Sequence, residues 1–455
     1  MMRPMQLGEL EQVLQGTLHG GDAGFDRVFT DSRDMAPGGL FVALDGERFD
    51  GHDYVADVAR AGAAGALVSR AIDVELPQLR VADTEIALGR LGAFNRSLYA
   101  GPLVAITGSS GKTTVKNLIS SVLSQRGQTL ATQGNLNNEI GVPLTLLRLS
   151  QQCEFAVVEM GAGKPGDIAW LCELARPGIS VLLNVMPAHL ERMGSLQGIA
   201  DTKGAIFDGL GAGDVAVMSA DEPWAESWRS RAGAARIIDF SLRGDAVVTA
   251  ADIVSRGILG SDFTARTPLG ETRVALRFPG AHNVANALAA IAVGIACELS
   301  LAEITAGLEA AEPAAGRLAL VKSEQGALLI DDCYNANPGS VRAAIDTLAA
   351  SEGRCTLVLG AMRELGEGSG AMHDEIGNYA RDAGLDAFWG VGEELRVAVA
   401  NFGENGLWFA DCDSALHAAR GVFTSADIVL VKGSRGARME RFLNGMRADS
   451  TEGES

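Results

Sequence analysis

Short apolar runs punctuate the chain, and the stretches between them repeat at helical spacing. Leu103–Ile106, Phe155–Val158, Ser180–Val185 and Asp214–Met218 are each bounded by turn residues and read as buried strands. Helical patterns fill the intervals at Val115–Gln125 and Gly198–Leu210, with a further strand at Thr129–Thr132. Such alternation predicts a parallel sheet covered on both faces. From Ile237 to Phe278 the pattern changes to strand alternation with hairpin signals, notably Thr267-Pro-Leu-Gly270, so antiparallel strands are expected there. Gly280–Asn286 then opens a long alanine-rich helix.

The ends of the chain read as separate units. Residues 1–84 combine helices at Gln6–Leu14 and Ala56–Ala64 with strands at Val28–Thr30, Leu40–Leu44, Ala66–Val68 and Leu79–Val81. The helix Ile86–Tyr99 leads into the middle of the chain. After Glu312–Arg317 the alternation restarts, with strands at Ala327–Ile330, Thr356–Leu359, Phe388–Val391 and Ile428–Val431. The expected architecture is α/β in three domains. These are a small N-terminal α/β domain (1–84), a central parallel sheet with antiparallel additions (85–314), and a doubly wound, Rossmann-like C-terminal domain (315–455). The last has no glycine fingerprint, so it is not a self-sufficient dinucleotide domain.

Chemistry concentrates where Leu103–Ile106 breaks at Gly108 and a helix starts near Lys112. Strand, glycine loop and helix are the parts of a phosphate cradle, which makes the central sheet a P-loop sheet. Gly108, Ser109, Ser110, Gly111, Lys112, Thr113 and Thr114 form the candidate nucleotide grip. Lys112 reaches toward β/γ-phosphates and the Thr113 hydroxyl toward Mg²⁺. A general P-loop has four residues between its glycines; here there are two. A glycine turn alone is usually just a turn, but the strand before it and the Lys-Thr-Thr after it argue for the cradle.

Other polar loops follow strand ends. Glu159 closes Phe155–Val158, where a P-loop protein needs a Mg²⁺ ligand, although Asp is usual there. His189 lies in the loop after Ser180–Val185, either exposed or a metal ligand. Lys203 sits on a helix, where a solvated face is the ordinary reading. Gly134-Asn-Leu-Asn-Asn-Glu-Ile-Gly141 offers neutral hydrogen-bonding groups beside the nucleotide crevice, or simply a turn. Arg33, in Thr30-Asp-Ser-Arg33, could clamp a diphosphate or cap a turn. Asn283 could face an adenine, although as a residue alone it is better read as a helix cap.

Composition narrows the setting. At 455 residues the length suggests about three domains. No apolar run reaches the ~18 residues that span a membrane. The start, Met1-Met-Arg-Pro4, carries no export signal, and the six cysteines form no C-x-x-C pair, so a reducing cytoplasm is expected. A formal net charge of −19 argues against nucleic acid as a partner.

Taken together the loops resemble the Mur ligases, the ATP-dependent amide-forming enzymes of peptidoglycan precursor assembly. The stretches that carry the resemblance are Thr30–Arg33, Leu40–Leu44 with Phe49–His52, Thr107–Lys112 and Gly134–Asn138. To these are added Ala188–Leu190, His282–Val284, Asp331–Asp332 with Tyr334–Asn337, and Lys432–Arg435. The short glycine spacing is what this family shows. The resemblance implies that Lys112 and the loop amides hold ATP, that Thr113 and Glu159 hold Mg²⁺, and that His189 ligates a second Mg²⁺. It matches Lys203 to a lysine that relatives carbamylate. Asn283 falls at the adenine contact and Arg317 and Asp332 at the phosphate and ribose contacts. Ser32, Arg33, Asn138, Asn335 and Ser434 fall on the substrate side. Gly163, Cys333 and Ala361 depart from the family pattern.

The branch most resembled implies a monomer joining D-Ala-D-Ala to UDP-N-acetylmuramoyl-tripeptide through an acyl phosphate. The third domain is expected to swing onto the central one and exclude water from that intermediate. The alternatives are a relative that adds a single amino acid and, in different classes, a P-loop kinase or a nucleotide-binding scaffold without turnover.

Overall fold

The computed structural model describes residues 2–447 apart from 36, 47, 48, 188 and 189, with the side chains of 190, 191 and 367 also outside the description. Three main sheets follow one another along the chain, with helices between their strands. The N-terminal part begins with a two-residue pairing of β1 (Met5–Gln6) with β3 (Gly24–Phe25). Its main sheet is ordered β2-β7-β6-β5-β4, from β2 (Thr17–His19), β4 (Val28–Phe29), β5 (Leu40–Val42), β6 (Gly65–Val68) and β7 (Gln78–Arg80). The expected helix from Gln6 is confined to Leu10–Leu14. The Leu7 N–H bonds the Ala23 carbonyl and the Gly8 N–H bonds Asp22, which hold that stretch in the β1–β3 corner.

The central sheet has nine strands in the order β16-β15-β14-β13-β12-β11-β8-β10-β9. They are β8 (Leu103–Thr107), β9 (Thr129–Ala131), β10 (Phe155–Glu159), β11 (Ile179–Leu182), β12 (Val215–Ser219), β13 (Arg236–Ser241), β14 (Val248–Ser255), β15 (Ser261–Thr267) and β16 (Gly270–Leu276). Val104, Ile106, Val157 and Val181 enter one apolar cluster, and Leu103, Ala105, Ala156 and Leu182 enter the other. Burial on both faces is why these strands read as continuous apolar runs.

The antiparallel stretch starts later than its pattern suggests. β13 runs parallel to β12, and β14 starts parallel to β13 before pairing antiparallel with β15. The short helix Ala225–Arg231 provides the crossover that keeps β13 parallel.

The helix Lys112–Leu123 follows β8 and lies against the helices Ala281–Ala296 and Leu301–Ala310. Gly307 makes that approach possible, since a Cβ there would stand 2.4 Å from the Val122 Cα. Ser121 donates to the Gly307 carbonyl across the contact.

The C-terminal sheet is ordered β17-β18-β22-β19-β20-β21. Its strands are β17 (Ala319–Lys322), β18 (Leu328–Asp332), β19 (Arg354–Gly360), β20 (Ala387–Val391), β21 (Gly406–Phe409) and β22 (Asp427–Lys432). The two edge strands, β17 and β21, have half-exposed or exposed side chains and escaped the apolar-run criterion. Ile258, from the turn between β14 and β15, is buried in the apolar cluster beneath this sheet, beside Leu318 and Leu348.

One buried amide anchors the loop before the active region. Asn95, on the helix Thr84–Ser97, donates through Nδ2 to the carbonyls of Leu146 (2.8 Å) and Leu149 (3.1 Å), at the end of the helix Gly141–Leu146. Asn95→Leu orphans both carbonyls at a cost of about 2 kcal/mol. Scanning calorimetry should show a thermal transition lowered by roughly 5 °C. An unshifted transition would mean that water replaces the amide without penalty.

Candidate active site

A cavity of about 790 Å³ opens at the C-terminal ends of the central strands and is walled on its far side by the C-terminal sheet. The strand order reverses at β8, with β10 on one side and β11 on the other, the switch point where open α/β sheets take ligands. Ser109–Thr114, Asn138, Glu159, Lys203, Asn283, Arg317, Asp332 and Asn335 all line this cavity.

Within the phosphate loop, Gly111 takes φ +81°, and a Cβ there would meet Asn286 Oδ1 at 2.8 Å. The N–H of Ser109 donates to the Asn184 carbonyl (3.0 Å) and that of Ser110 to Asn184 Oδ1 (2.9 Å). These two amides are thus turned onto the end of β11. The helix Lys112–Leu123 starts without a side-chain cap, so its leading N–H groups remain for an anion. Lys112 Nζ donates to the carbonyl of Gly108 (2.7 Å), which bends the lysine over its own loop. Burial pushes the Lys112 ammonium below its usual range, opposed by the charge of Glu159 and aided by Arg317.

Glu159 is buried and fully engaged. Oε2 accepts from Thr113 Oγ1 and Oε1 from Asn137 Nδ2, both at 2.8 Å, while Lys116 Nζ stands 3.9 Å away. Among the described residues no group of three or more His, Cys, Asp or Glu is placed to hold a metal ion. A touching hydroxyl and carboxylate nonetheless fit Mg²⁺, which takes few protein ligands and completes its shell with water and phosphate oxygens. Lys203 closes the helix Leu196–Gly204, is buried, and has its Nζ held far below the usual range by burial and then by the charge of Lys112. The other expected metal ligand, His189, lies outside the described residues.

The opposite wall comes from the C-terminal sheet. Arg317 lies over the Tyr334 ring at 4.1 Å. Asp332 pairs with Lys432 at 2.5 Å, and Lys432 also donates to the Asn335 carbonyl (3.0 Å). Burial raises the Asp332 carboxyl, against the pull of Lys432. His282 is pushed down to about 4 by burial and then by Lys432, so its ring is neutral. Asn283 is not a cap: the helix Ala281–Ala296 begins at Gly280, and Asn283 Nδ2 donates to the Pro279 carbonyl.

Some expected residues lie elsewhere. Ser32 and Arg33 sit in a 3₁₀ turn and do not line the cavity. The Arg33 guanidinium is taken by Asp31 (Nε–Oδ1 2.9 Å, Nη2–Oδ2 2.7 Å), and these hydrogen bonds hold the Asp31 carboxyl down to about 2. Ser434 is buried, with its hydroxyl on the Ala361 carbonyl. Asn138 reaches the cavity rim while its Oδ1 caps the Gly141 N–H. Gly108 lies behind the lining and contributes its carbonyl to Lys112.

Known proteins match this chain from end to end. Three Mur ligase families cover it in succession: the family's catalytic domain over residues 25–92, the middle domain over 106–294 and the glutamate ligase domain over 316–435. The UDP-N-acetylmuramoyl-tripeptide–D-alanyl-D-alanine ligase of Escherichia coli (strain K12) is 43% identical, covering 99% of this chain and 100% of its own. The chain belongs to the Mur ligase family.

The ligase of the same name from Haemophilus influenzae is 37% identical, with 96% and 97% of the two chains covered. A crystal structure of MurF from Acinetobacter baumannii superposes with a TM-score of 0.92 at 36% identity, over 98% of this chain and 99% of that one. The MurF ligase of Thermotoga maritima in complex with ADP gives 0.82 at 29% identity, over 92% and 96%.

Sequence reasoning on this Mur ligase did not single out Asn137, Asn184, Lys116, Lys432 or Glu222. Asn137 and Lys432 lie in loops already marked as polar, and Asn184 and Glu222 follow strand ends; that position was the available signal. Lys112→Ala removes the cation nearest the phosphate grip. Turnover should fall by several orders of magnitude while the thermal transition holds. A variant with near-normal turnover would remove Lys112 from the site.

Proposed function

We propose that this Mur ligase uses ATP to join D-alanyl-D-alanine to UDP-N-acetylmuramoyl-tripeptide. The observation that carries the reading is one cavity lined by the phosphate loop, the Thr113–Glu159 pair and Lys203 on one side and by Arg317 and Asp332 on the other. The names of the most similar relatives and the ADP complex of the Thermotoga maritima protein support it. A carboxylate is inert to amines, so its oxygen attacks the γ-phosphorus of ATP and ADP leaves. The amine then attacks the acyl phosphate carbon, and inorganic phosphate departs. Lys112 and the leading amides of its helix hold the phosphates in line, and the C-terminal wall keeps water off the acyl phosphate.

Thr113 and Glu159 would hold one Mg²⁺, and His189 with Lys203 a second; bound there, the ions offset charge on the phosphates. Residues 1–84 carry the uridine nucleotide, with Ser32 and Arg33 on its diphosphate once Arg33 leaves Asp31. Residues 85–314 and 315–455 supply the two walls, with Asn335 and Ser434 on the substrate side. The enzyme works as a cytoplasmic monomer; among the described residues no helix is long and apolar enough to cross a membrane.

Phosphate release separates this reading from a kinase and from a scaffold. Free phosphate should appear only when UDP-muramoyl-tripeptide and D-Ala-D-Ala are both supplied. Release with a free amino acid in place of the dipeptide would shift the reading to another branch of the family. Burial, and then the charge of Lys112, push the Lys203 ammonium well below its usual range, the direction that favours the uncharged amine on which carbamylation depends. With ¹³C-bicarbonate, the protein should show a carbamate carbonyl resonance that is absent from Lys203→Arg. A spectrum identical in both proteins would reject the modification.

A further inference from the structure

The phosphate loop does not hold its own shape. Its two central N–H groups are spent on Asn184, and the Ser110 carbonyl accepts from Asn184 Nδ2 at 3.1 Å. The Ser109 hydroxyl donates to the Met186 carbonyl (3.1 Å) and stands 3.0 Å from the Met186 N–H, so the loop lies on the residues after β11 as on a template. That template is tied to the next loop of the sheet, because the buried Val185 N–H donates to Glu222 Oε2 at 3.1 Å. The neighbouring Asp221 fixes this next loop in turn, accepting from the Ser241 hydroxyl (2.6 Å) and the Leu242 N–H (2.9 Å) at the end of β13. A chain of hydrogen bonds therefore runs across the strand ends from β13 to the phosphate loop.

We propose that Glu222 is a positioning residue for nucleotide binding, acting through Val185 and Asn184 to fix the shape of the phosphate loop. The proposal rests on the ATP-dependent reading above. Glu222 lines the cavity wall, and burial pushes its carboxyl up to about 7 against the Val185 bond, with Asp221 adding to the rise and Arg243 opposing it. Among the described residues the Glu222 carboxyl is the acceptor that the Val185 N–H finds. With only two residues between Gly108 and Gly111, the loop cannot wrap an anion by its own turns, so an external template has to set the direction of the amides from Gly111 to Thr114.

The test uses the full-length enzyme with Mg²⁺ and a non-hydrolysable ATP analogue, comparing Glu222→Ala and Glu222→Gln with the parent. Calorimetry should show the alanine variant binding the analogue roughly tenfold more weakly, the scale of one lost hydrogen bond. The glutamine variant keeps an acceptor in the same place and should restore most of the affinity. The KM for D-Ala-D-Ala should stay at its parental value, and any fall in the thermal transition should be confined to the few degrees that one orphaned N–H costs. Hydrogen–deuterium exchange supplies a readout independent of catalysis: uptake should rise in peptides spanning residues 103–112 and 183–187 of the alanine variant and nowhere else. Parental affinity or unchanged uptake in those peptides overturns the role of Glu222. A general rise in uptake with a transition lowered well beyond that also overturns it, leaving Glu222 as a folding residue. Failure of the parent itself to bind the analogue would instead overturn the ATP reading on which the proposal stands.

Discussion

In the proposed reaction two negative groups must touch, inside a protein whose own charge is strongly negative. Two like unit charges at 4 Å repel by about 4 kcal/mol at the effective dielectric of a protein surface, enough to decide whether a complex forms. The positive charge that offsets this is local. Lys112 faces the cavity from the central sheet, and Arg317 and Lys432 from the C-terminal one. Burial weakens Lys112 as a cation and the charge of Arg317 weakens it further, while Glu159 opposes both. An arriving phosphate reverses that balance, since an adjacent anion favours the charged form of an amine. The cavity is therefore better suited to holding its lysine as a cation beside an anion than alone.

Glu159 shows the same logic from the acidic side. A carboxylate buried beneath the phosphate grip would repel the ligand if it stood bare. Here both of its oxygens are occupied, one by Thr113 and one by Asn137, with Lys116 behind. Its charge is spread into the protein and turned toward the hydroxyl that a hydrated Mg²⁺ would share.

The parts of this arrangement legible in the sequence are those written within one stretch of chain. Strand, glycine break and helix at Leu103–Thr114 declare themselves because a continuous apolar run means burial on both faces and Gly111 meets a conformation that other residues avoid. Continuous runs likewise revealed the inner strands of both large sheets, whereas β17 and β21, with exposed faces, did not register. What stayed hidden depends on the direction each side chain takes and on contacts between distant segments. Nothing near Ser434 shows that its hydroxyl turns inward to Ala361. Arg33 looks like a free anion clamp until Asp31, two residues away, is seen to take its fork. The reach of Asn184 to a loop some seventy positions earlier has no local signature at all.

The two walls of the cavity are each incomplete, and their incompleteness is complementary. The central sheet holds the glycine loop and the Thr113–Glu159 pair, but its helix-end amide Asn283 is already engaged with Pro279 and Asn286. The C-terminal sheet brings Arg317 and Asp332 yet has no phosphate loop of its own. A nucleotide spanning both gains contacts that neither wall offers alone, so binding free energy goes into holding the walls together. Ile258 supplies a standing link, since a side chain from the central sheet sits inside the apolar cluster of the C-terminal one. Ile258 itself is not part of the cavity lining. A link of this kind reduces the freedom between the walls that a bridging nucleotide would have to remove.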